Sequence, residues 1–393
     1  MKRFLRLFTV LALAIGFVAV ADRAGAVVTK ATVVPSPNLS TTLSGLNSVS
    51  CVSLTVCVAV GAYVNSLDVD RTQAMIWDGT AWTITPTPNV GGGDNSLASV
   101  SCTSATFCMA VGFASDAGSS ESLAMTWDGS SWTTVTSPNS SPEDNVYESV
   151  SCVAANFCMA VGYYLDGTDN FYKTLAATWD GTTLSPLASP NAGNSSYLES
   201  VSCISTTLCM AVGEQYETFT FQTLSMSWDG STWTILTTPD PGASENLVYG
   251  VSCVSATWCV AVGGSIDSSD GDFAALIMAW NGASWTSATS PTFATENQLL
   301  GVDCLSTSDC IAVGQFRDET GIFQTMVLTW DGNTWTLLNS PNSGTGENFL
   351  SSISCPAVDT CFAAGGYQSA DTEATLILAL THPVPEVTPA FTG

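Results

Sequence analysis

Seven pairs of cysteines recur along this chain, each pair separated by five residues, at intervals of 50 or 51 residues. A period of that length is typical of proteins built from repeated copies of one supersecondary unit. The chain is therefore predicted to form one repeat domain, although 393 residues would allow two or three ordinary domains. The pairs are Cys51 and Cys57, Cys102 and Cys108, Cys152 and Cys158, Cys203 and Cys209, Cys253 and Cys259, Cys304 and Cys310, and Cys355 and Cys361.

Each repeat has the pattern of four short β-strands. In the second repeat, the first strand ends at residues 99–102 and a continuously apolar second strand covers 108–112. A third strand alternates over 123–127, and a fourth follows at 132–136. The Asp128-Gly129 dipeptide between the last two strands is a strong hairpin signal. No segment shows a helical period with caps, so the unit is predicted to be all-β.

Most repeats place two tryptophans on either side of the predicted hairpin turn, with four residues between them. This spacing makes the two indoles direct cross-strand neighbours, a pairing worth about 0.2–1 kcal/mol. We expect a structural role for them rather than ligand stacking, because the pairing recurs in nearly every repeat. The pairs are Trp77 and Trp82, Trp127 and Trp132, Trp228 and Trp233, Trp280 and Trp285, and Trp330 and Trp335, and the third repeat has Trp179 opposite Leu184.

The seventh repeat lacks its fourth strand. Its third strand, at 375–380, is followed by a proline-rich segment, whereas residues 33–38 match the fourth-strand ending at 134–139. Residues 28–36 are therefore predicted to complete the blade begun by residues 349–381. This arrangement gives a seven-bladed β-propeller of four antiparallel strands per blade, closed by the N-terminal strand, with no exposed sheet edge. An open solenoid is the alternative, and it would need polar caps at both ends.

The N-terminus has the pattern of an export signal. A basic start is followed by an apolar run at residues 7–21 and then by small residues, so we predict a signal peptide at 1–26. The propeller domain is predicted at 27–382 and a C-terminal tail at 383–393. The alternative for the apolar run is an N-terminal membrane anchor. An even number of cysteines in an exported chain predicts disulfides, so we expect a secreted, extracellular protein with each of the seven pairs bridged.

The formal net charge is −26, and the chain beyond residue 26 has four basic residues. This balance argues against nucleic-acid binding, which depends on clusters of Lys and Arg. We expect no membrane span in the mature chain and a monomer kept soluble by its charge. The basic residues are Lys30, Arg71, Lys173 and Arg317.

The segment at residues 227–233, Ser-Trp-Asp-Gly-Ser-Thr-Trp, resembles the Asp-box of bacterial-neuraminidase-type repeat propellers. It is one residue shorter between Asp and Gly. The whole repeat, with its Ser-Val-Ser-Cys-x5-Cys-x-Ala-Val-Gly core, resembles a class of exported bacterial β-propeller proteins over residues 28–381. The resemblance implies the propeller fold and leaves the activity open. The sialidase relatives bind their substrate's carboxylate with three arginines, whereas the chain beyond residue 26 has only Arg71 and Arg317.

Enzyme chemistry has little support in the sequence. The single histidine, His382, lies beside the proline-rich tail, which argues against Ser-His-Asp and Cys-His nucleophilic schemes. No catalytic residue can be named. Glycoside hydrolysis by two carboxylates stays open, and a carboxylate pair near the propeller axis would favour it. We therefore weigh three functions: a non-enzymatic extracellular binding or surface-interaction module, a carbohydrate-active enzyme, and a structural envelope protein.

Acidic residues concentrate in the connections between the second and third strands, and between the fourth strand and the next repeat. An acidic-Asn dipeptide recurs seven residues before the first cysteine of five repeats. It predicts either a solvated acidic face with Asn capping a turn or a binding face for carbohydrate, a protein at the cell surface, or calcium. No cofactor is expected beyond that calcium. The dipeptides are Asp94-Asn95, Asp144-Asn145, Glu245-Asn246, Glu296-Asn297 and Glu347-Asn348.

Overall fold

The computed structural model describes residues 28–116, 118–266, 271–291, 294 and 296–381. These residues form 28 β-strands and no helix, which confirms the all-β prediction. The predicted signal peptide, His382 and the C-terminal tail lie outside the described residues, as do Asp267 and Asp270.

The strands are named in chain order. They are β1 (Lys30–Val33), β2 (Ser44–Ser53), β3 (Val56–Val64), β4 (Asp70–Trp77), β5 (Trp82–Thr85), β6 (Asn95–Ser104), β7 (Phe107–Asp116), β8 (Ser119–Trp127), β9 (Trp132–Val135), β10 (Asn145–Ala154), β11 (Phe157–Asp166), β12 (Phe171–Trp179), β13 (Leu184–Leu187), β14 (Ser195–Ser205), β15 (Leu208–Glu217), β16 (Thr220–Trp228), β17 (Trp233–Leu236), β18 (Glu245–Ser255), β19 (Trp258–Ile266), β20 (Phe273–Trp280), β21 (Trp285–Ala288), β22 (Asn297–Ser306), β23 (Asp309–Arg317), β24 (Phe323–Trp330), β25 (Trp335–Leu338), β26 (Asn348–Ala357), β27 (Thr360–Ser369) and β28 (Thr372–Thr381).

The strands assemble into antiparallel units in the order first, second, third, fourth, beginning with β2-β3-β4-β5. Five units are separate four-stranded sheets, and two more are joined into an eight-stranded sheet by one parallel bridge between Phe221 and Glu245. The first strand of each unit contacts the first strand of the next, and β26 in turn contacts β2. We call the strands β2, β6, β10, β14, β18, β22 and β26 the inner strands.

A ladder of side-chain hydrogen bonds connects each inner strand to the next. The Ser50 hydroxyl accepts a hydrogen bond from the Cys102 N–H at 2.9 Å, and Ser101 accepts one from Cys152 at 3.0 Å. The same bond recurs from unit to unit and includes one from the Cys51 N–H to Ser354. In the sixth unit Asp303 replaces the serine and accepts from the Cys355 N–H at 2.7 Å. The serine directly before the first cysteine of most units therefore joins that unit to its neighbour.

Every inner strand carries a β-bulge at the same place, where one extra residue interrupts the pairing with the second strand. In the third unit the bulge lies between Tyr147 and Ser149, so Glu148 has no partner across the pair. The bulge brings the carbonyl of Val146 so close to Gly162 that a Cβ at residue 162 would collide with it. This close approach explains the glycine of the repeated Ala-Val-Gly sequence.

The hydrophobic core lies between neighbouring units rather than inside one sheet. Val58 and Ala74 of the first unit pack with Leu97, Met125 and other buried residues of the second unit. Equivalent clusters fill the other junctions, and one joins Phe362 of the last repeat to the first unit. Each large apolar side chain buried in this way stabilises the fold by about 1.5–3 kcal/mol.

The strand β1 pairs antiparallel with β28, from Lys30 opposite Thr381 to Val33 opposite Leu378. The contact continues beyond the strand, where the Thr375 N–H donates to Asn38 Oδ1 at 2.8 Å. The sheet β1-β28-β27-β26 therefore contains four strands, one of which comes from the start of the domain.

All seven cysteine pairs form disulfides between the first and second strands of their units, as the sequence predicts. The second cysteine of each pair is fully buried, which places the bridge at the edge of the core between neighbouring units. The structure joins Cys51 to Cys57, Cys102 to Cys108, Cys152 to Cys158, Cys203 to Cys209, Cys253 to Cys259, Cys304 to Cys310 and Cys355 to Cys361.

The two tryptophans of each pair lie directly opposite each other on the third and fourth strands. The ring centroids of Trp127 and Trp132, for example, are 5.6 Å apart. The Trp127 indole N–H donates to the Ala105 carbonyl in the turn between the first two strands. The same bond recurs from five further tryptophans, which supports the structural role predicted for them.

Candidate functional site

We call the loop face the side of the domain that carries the connections between second and third strands and between fourth strands and the next unit. The five asparagines predicted there are buried. Asn145 Oδ1 accepts from the Ser140 N–H at 2.7 Å, and its Nδ2 donates to the Ser141 and Glu143 carbonyls. Asn95, Asn246, Asn297 and Asn348 make similar bonds within their own connections. These side chains hold the connections in shape.

The acidic partners of these asparagines also make contacts within the chain. Asp94 and Asp144 each accept a hydrogen bond from a backbone N–H at the start of a third strand, at 3.0 and 2.8 Å. Glu347 accepts one from the Phe323 N–H at 2.8 Å, and Glu296 forms an ion pair with Arg317. Glu245 lies in the parallel bridge to Phe221. The ten predicted residues therefore lie on the loop face, and most of them stabilise its connections through hydrogen bonds or an ion pair within the chain.

The aspartates of the Asp-box-like turns are on the opposite side of the domain. Asp128 Oδ1 accepts from the N–H groups of Ser130 and Ser131 and from the Ser130 hydroxyl, each at 2.8 Å. The Ser130 hydroxyl and then these N–H groups lower the pKa of Asp128 to about 2. The carboxylates in these turns therefore stabilise the turn conformation, as an Asx-turn does.

The inner strands surround a cavity of about 590 Å³. Serine and backbone groups line most of its wall. The residue at the bulge of each inner strand also faces this cavity, so the seven bulge positions can be compared directly. They are Asn47, Ala98, Glu148, Glu199, Tyr249, Leu300 and Ser351. The repeat symmetry is broken here, because two adjacent units carry glutamate and the next carries tyrosine.

A third glutamate lies beside this pair. Glu214, on β15, is paired in register with Tyr197 and is only 8% exposed. Its Oε2 atom is buried with no hydrogen-bond partner. Burial raises the pKa of Glu214 to about 8, and the negative charge of Glu148 adds to this shift. We call Glu148, Glu199 and Glu214 the carboxyl cluster.

The other two members of the carboxyl cluster behave in the same way. Burial raises the pKa of Glu199 well above its ordinary value, and repulsion from Glu214 and Glu148 raises it further. Burial also raises the pKa of Glu148, although a hydrogen bond from the Tyr163 hydroxyl opposes the rise. The three carboxyl groups therefore repel one another strongly when they are ionised.

Tyrosines surround the carboxyl cluster. Tyr163, Tyr172 and Tyr197 are in mutual contact, with ring centroids 5.2–5.4 Å apart. Burial raises the pKa of Tyr163, and the charges of Glu148 and Glu199 raise it further. Burial also raises the pKa of Tyr249, and the negative charges of Glu214 and Glu199 raise it further. The cluster is thus bordered by aromatic rings on the third, fourth and fifth units.

Exposed aromatic side chains extend this region across the loop face. Phe219 is 93% exposed at the tip of the β15–β16 connection, where its φ is 68°. Phe171, the first residue of β12 in the neighbouring unit, is 38% exposed. An exposed phenylalanine in a strained backbone conformation is unusual, and both residues belong to the units that carry the glutamates.

The carboxyl cluster was not predicted from the sequence, because its glutamates depart from the pattern that the repeats share. The signal was present in the residue before each Ser-x-Ser-Cys segment, which is glutamate only at Glu148 and Glu199. Glu214 could not be associated with Glu148 and Glu199 from the sequence, because it lies on the second strand of its unit whereas they lie on first strands.

Among the described residues, no group of three or more His, Cys, Asp or Glu has the geometry of a metal site. Within the same part of the chain there is no helix long and apolar enough to span a membrane.

No known protein family and no curated protein matches this chain. Solved structures do resemble it. The structure of YCF48 bound to D1 peptide has a TM-score of 0.55 and 12% identity, with 90% of this chain and 95% of that chain covered. Sqt1 from Chaetomium thermophilum bound to the N-terminus of the ribosomal protein L10 has a TM-score of 0.48 and 12% identity, with 86% and 97% covered. The likeness to YCF48 and the repeated four-stranded sheets show that the fold is a β-propeller.

Proposed function

We propose that this chain is a non-enzymatic module that binds a segment of another protein on the loop face, above the carboxyl cluster. The observation that carries the proposal is the broken symmetry at the cavity wall. Five of the seven units have neutral bulge residues, so the fold does not require glutamate there. Two partly buried glutamates, together with a buried third one whose Oε2 atom has no partner, cost stability. Such a cost is typical of a functional site.

The exposed aromatic residues support a protein ligand. Aromatic side chains are enriched at the centres of protein interfaces, where they provide most of the binding energy. Phe219, Phe171 and the group of three tyrosines lie on the units that carry the carboxyl cluster. The YCF48 structure, which has the same fold, contains a bound peptide.

We further propose that the domain is a closed propeller of seven blades in which β1 completes the last blade. The β1–β28 pairing, the Thr375–Asn38 hydrogen bond and the bond from the Cys51 N–H to Ser354 support this arrangement. Seven disulfides suggest an oxidising environment, and we propose that the protein is secreted after removal of residues 1–26.

A carbohydrate-active enzyme is the second candidate, because two carboxyl groups near the cavity axis are the arrangement that this chemistry needs. However, a general acid and a nucleophile or base need pKa values that are pushed apart. Here burial raises the pKa of all three glutamates. Hydrolysis of cell-wall polysaccharides that disappears in Glu199→Gln would favour the enzyme over the binding module.

The test is a selection from a displayed library of random peptides against the immobilised, oxidised domain (residues 27–381). A glycan array is probed in parallel, with and without millimolar calcium. Peptides that bind saturably and lose affinity when Phe219 and Phe171 are changed to serine would support the proposal. Failure to select any peptide would overturn it, and calcium-dependent binding of a glycan would then favour the alternative predicted ligands.

A further inference from the structure

We propose that the carboxyl cluster receives one basic side chain, a lysine or an arginine, of the bound protein segment. This inference rests on the proposed function, since it names the group that the same face recognises. Basic side chains and carboxylates form charge-assisted hydrogen bonds, and arginine can engage a carboxylate with two of them.

The carboxyl cluster has no basic partner of its own among the described residues. Three of the four basic residues make contacts elsewhere in the domain. The Arg71 guanidinium donates to the Gly92 and Gly93 carbonyls, Lys173 pairs with Asp169, and Arg317 pairs with Glu296. The interactions that shift the pKa values of the three glutamates involve other glutamates and Tyr163. When its carboxyl groups are ionised, the cluster therefore carries negative charge that no basic side chain among the described residues neutralises.

The buried and unpartnered Oε2 atom of Glu214 is a second, independent observation. A buried polar atom without a hydrogen-bond partner is uncommon in folded proteins and destabilises the fold. Glu214 interacts electrostatically with Glu199, which lines the cavity. An ammonium or guanidinium group entering from the cavity would supply the missing donor and reduce the repulsion between the carboxylates.

The surroundings suit a long aliphatic chain that ends in a charge. The tyrosines at the edge of the cluster offer apolar ring surfaces to the methylene groups and electron-rich faces to the cation. The cavity of about 590 Å³ has room for such a side chain. The peptide backbone would then remain on the loop face, beside the exposed phenylalanines.

Binding of a cation should be linked to proton release. Because burial raises the pKa of Glu214 to about 8, this member of the cluster is protonated near neutral pH. A bound cation favours the ionised form, so affinity should increase as pH rises from about 6 to about 9. The other titratable groups beside the cluster are Tyr163, Tyr172, Tyr197 and Tyr249.

The test uses the peptides selected against the full domain. We expect the selected sequences to share a lysine or arginine at one fixed position. Substituting citrulline for that arginine, or norleucine for that lysine, should weaken binding at least tenfold in fluorescence polarisation. The variant E148Q/E199Q/E214Q should lose the same factor, and it should fold, because glutamine preserves the side-chain shape and removes the repulsion.

The matched control is E217Q/E319Q/D371N, which removes three charges from exposed positions in or directly beside second-to-third-strand connections. We expect it to retain affinity within about twofold. Equal weakening in both variants would mean general electrostatic attraction and would overturn the inference. Selected peptides that lack a basic residue, or that bind E148Q/E199Q/E214Q normally, would also overturn it while leaving the proposed function intact. A selection that yields no peptide would instead refute the proposed function.

Discussion

Replacing Glu214 with glutamine should make the stability of the domain less dependent on pH. The side chain is 8% exposed, and burial raises its pKa to about 8. In the unfolded chain the same group titrates near 4.3–4.5. Between these two values the folded protein keeps a proton that the unfolded protein releases. The free energy of unfolding therefore falls as pH rises from about 4.5 to about 8 and is constant above that.

The size of this effect follows from the two pKa values. One pKa unit corresponds to about 1.36 kcal/mol, so the contribution of Glu214 should lower the free energy of unfolding by about 2–3 kcal/mol between pH 5 and pH 7. For a domain of this size, about 1 kcal/mol corresponds to about 1–2 °C in melting temperature. Glu214→Gln cannot titrate, so its melting temperature should fall by about 3–4 °C less than that of the wild type over this interval.

The measurement is a series of thermal unfolding curves, followed by near-ultraviolet circular dichroism, at pH values from 5 to 8. Glu217→Gln is the matched control, because Glu217 ends the same strand and is exposed. The control should melt in parallel with the wild type at every pH. If Glu214→Gln also melts in parallel with the wild type, the carboxyl group titrates normally and the argument for a strained cluster is refuted.

Three further outcomes can be checked by melting experiments. Deleting residues 28–38 removes β1 and the hydrogen-bond acceptor for Thr375, so the melting temperature should fall. The exposed edge of β28 should then cause self-association, which light scattering would detect. Unchanged melting would refute closure by β1. Reducing the seven disulfides should lower the melting temperature by more than about 10 °C, because each short loop contributes about 2 kcal/mol in the chain-entropy model. Asn145→Ala leaves buried backbone groups unpaired and should cost about 1–3 kcal/mol, whereas Asn333→Ala in an exposed turn should change little.

Much of the fold could be predicted from the sequence because it follows from local patterns. The cysteine spacing predicted the pairing of the first and second strands, and the Trp-x4-Trp spacing predicted the register of the third and fourth. The roles of Ser101 and Gly162 could not be derived in this way. Both depend on contacts across a bulge or to the next unit, and no short-range period encodes such contacts.

The candidate site was harder to predict for the opposite reason. The acidic-Asn dipeptides recur, so they attracted attention, yet the structure places Asn145 and its counterparts in buried loop-closing bonds. Their recurrence reflects the needs of the fold. Glutamate occupies only two of the seven equivalent bulge positions, at Glu148 and Glu199. The sequence does not show that these two residues lie near Glu214, and only the structure of the cavity wall does.

In a repeat protein, an interaction that every copy makes is explained by the stability of the copy and its junctions. A position that differs between copies at the same structural place is free from that requirement. The bulge residue is such a place, since the chain tolerates alanine, leucine and serine there. Glutamate at two adjacent bulges, supported by a buried carboxyl group from the second strand, is therefore better explained by a ligand than by the fold. The same comparison predicts that Glu148→Ala and Glu199→Ala will fold as stably as the wild type while binding the selected peptides more weakly.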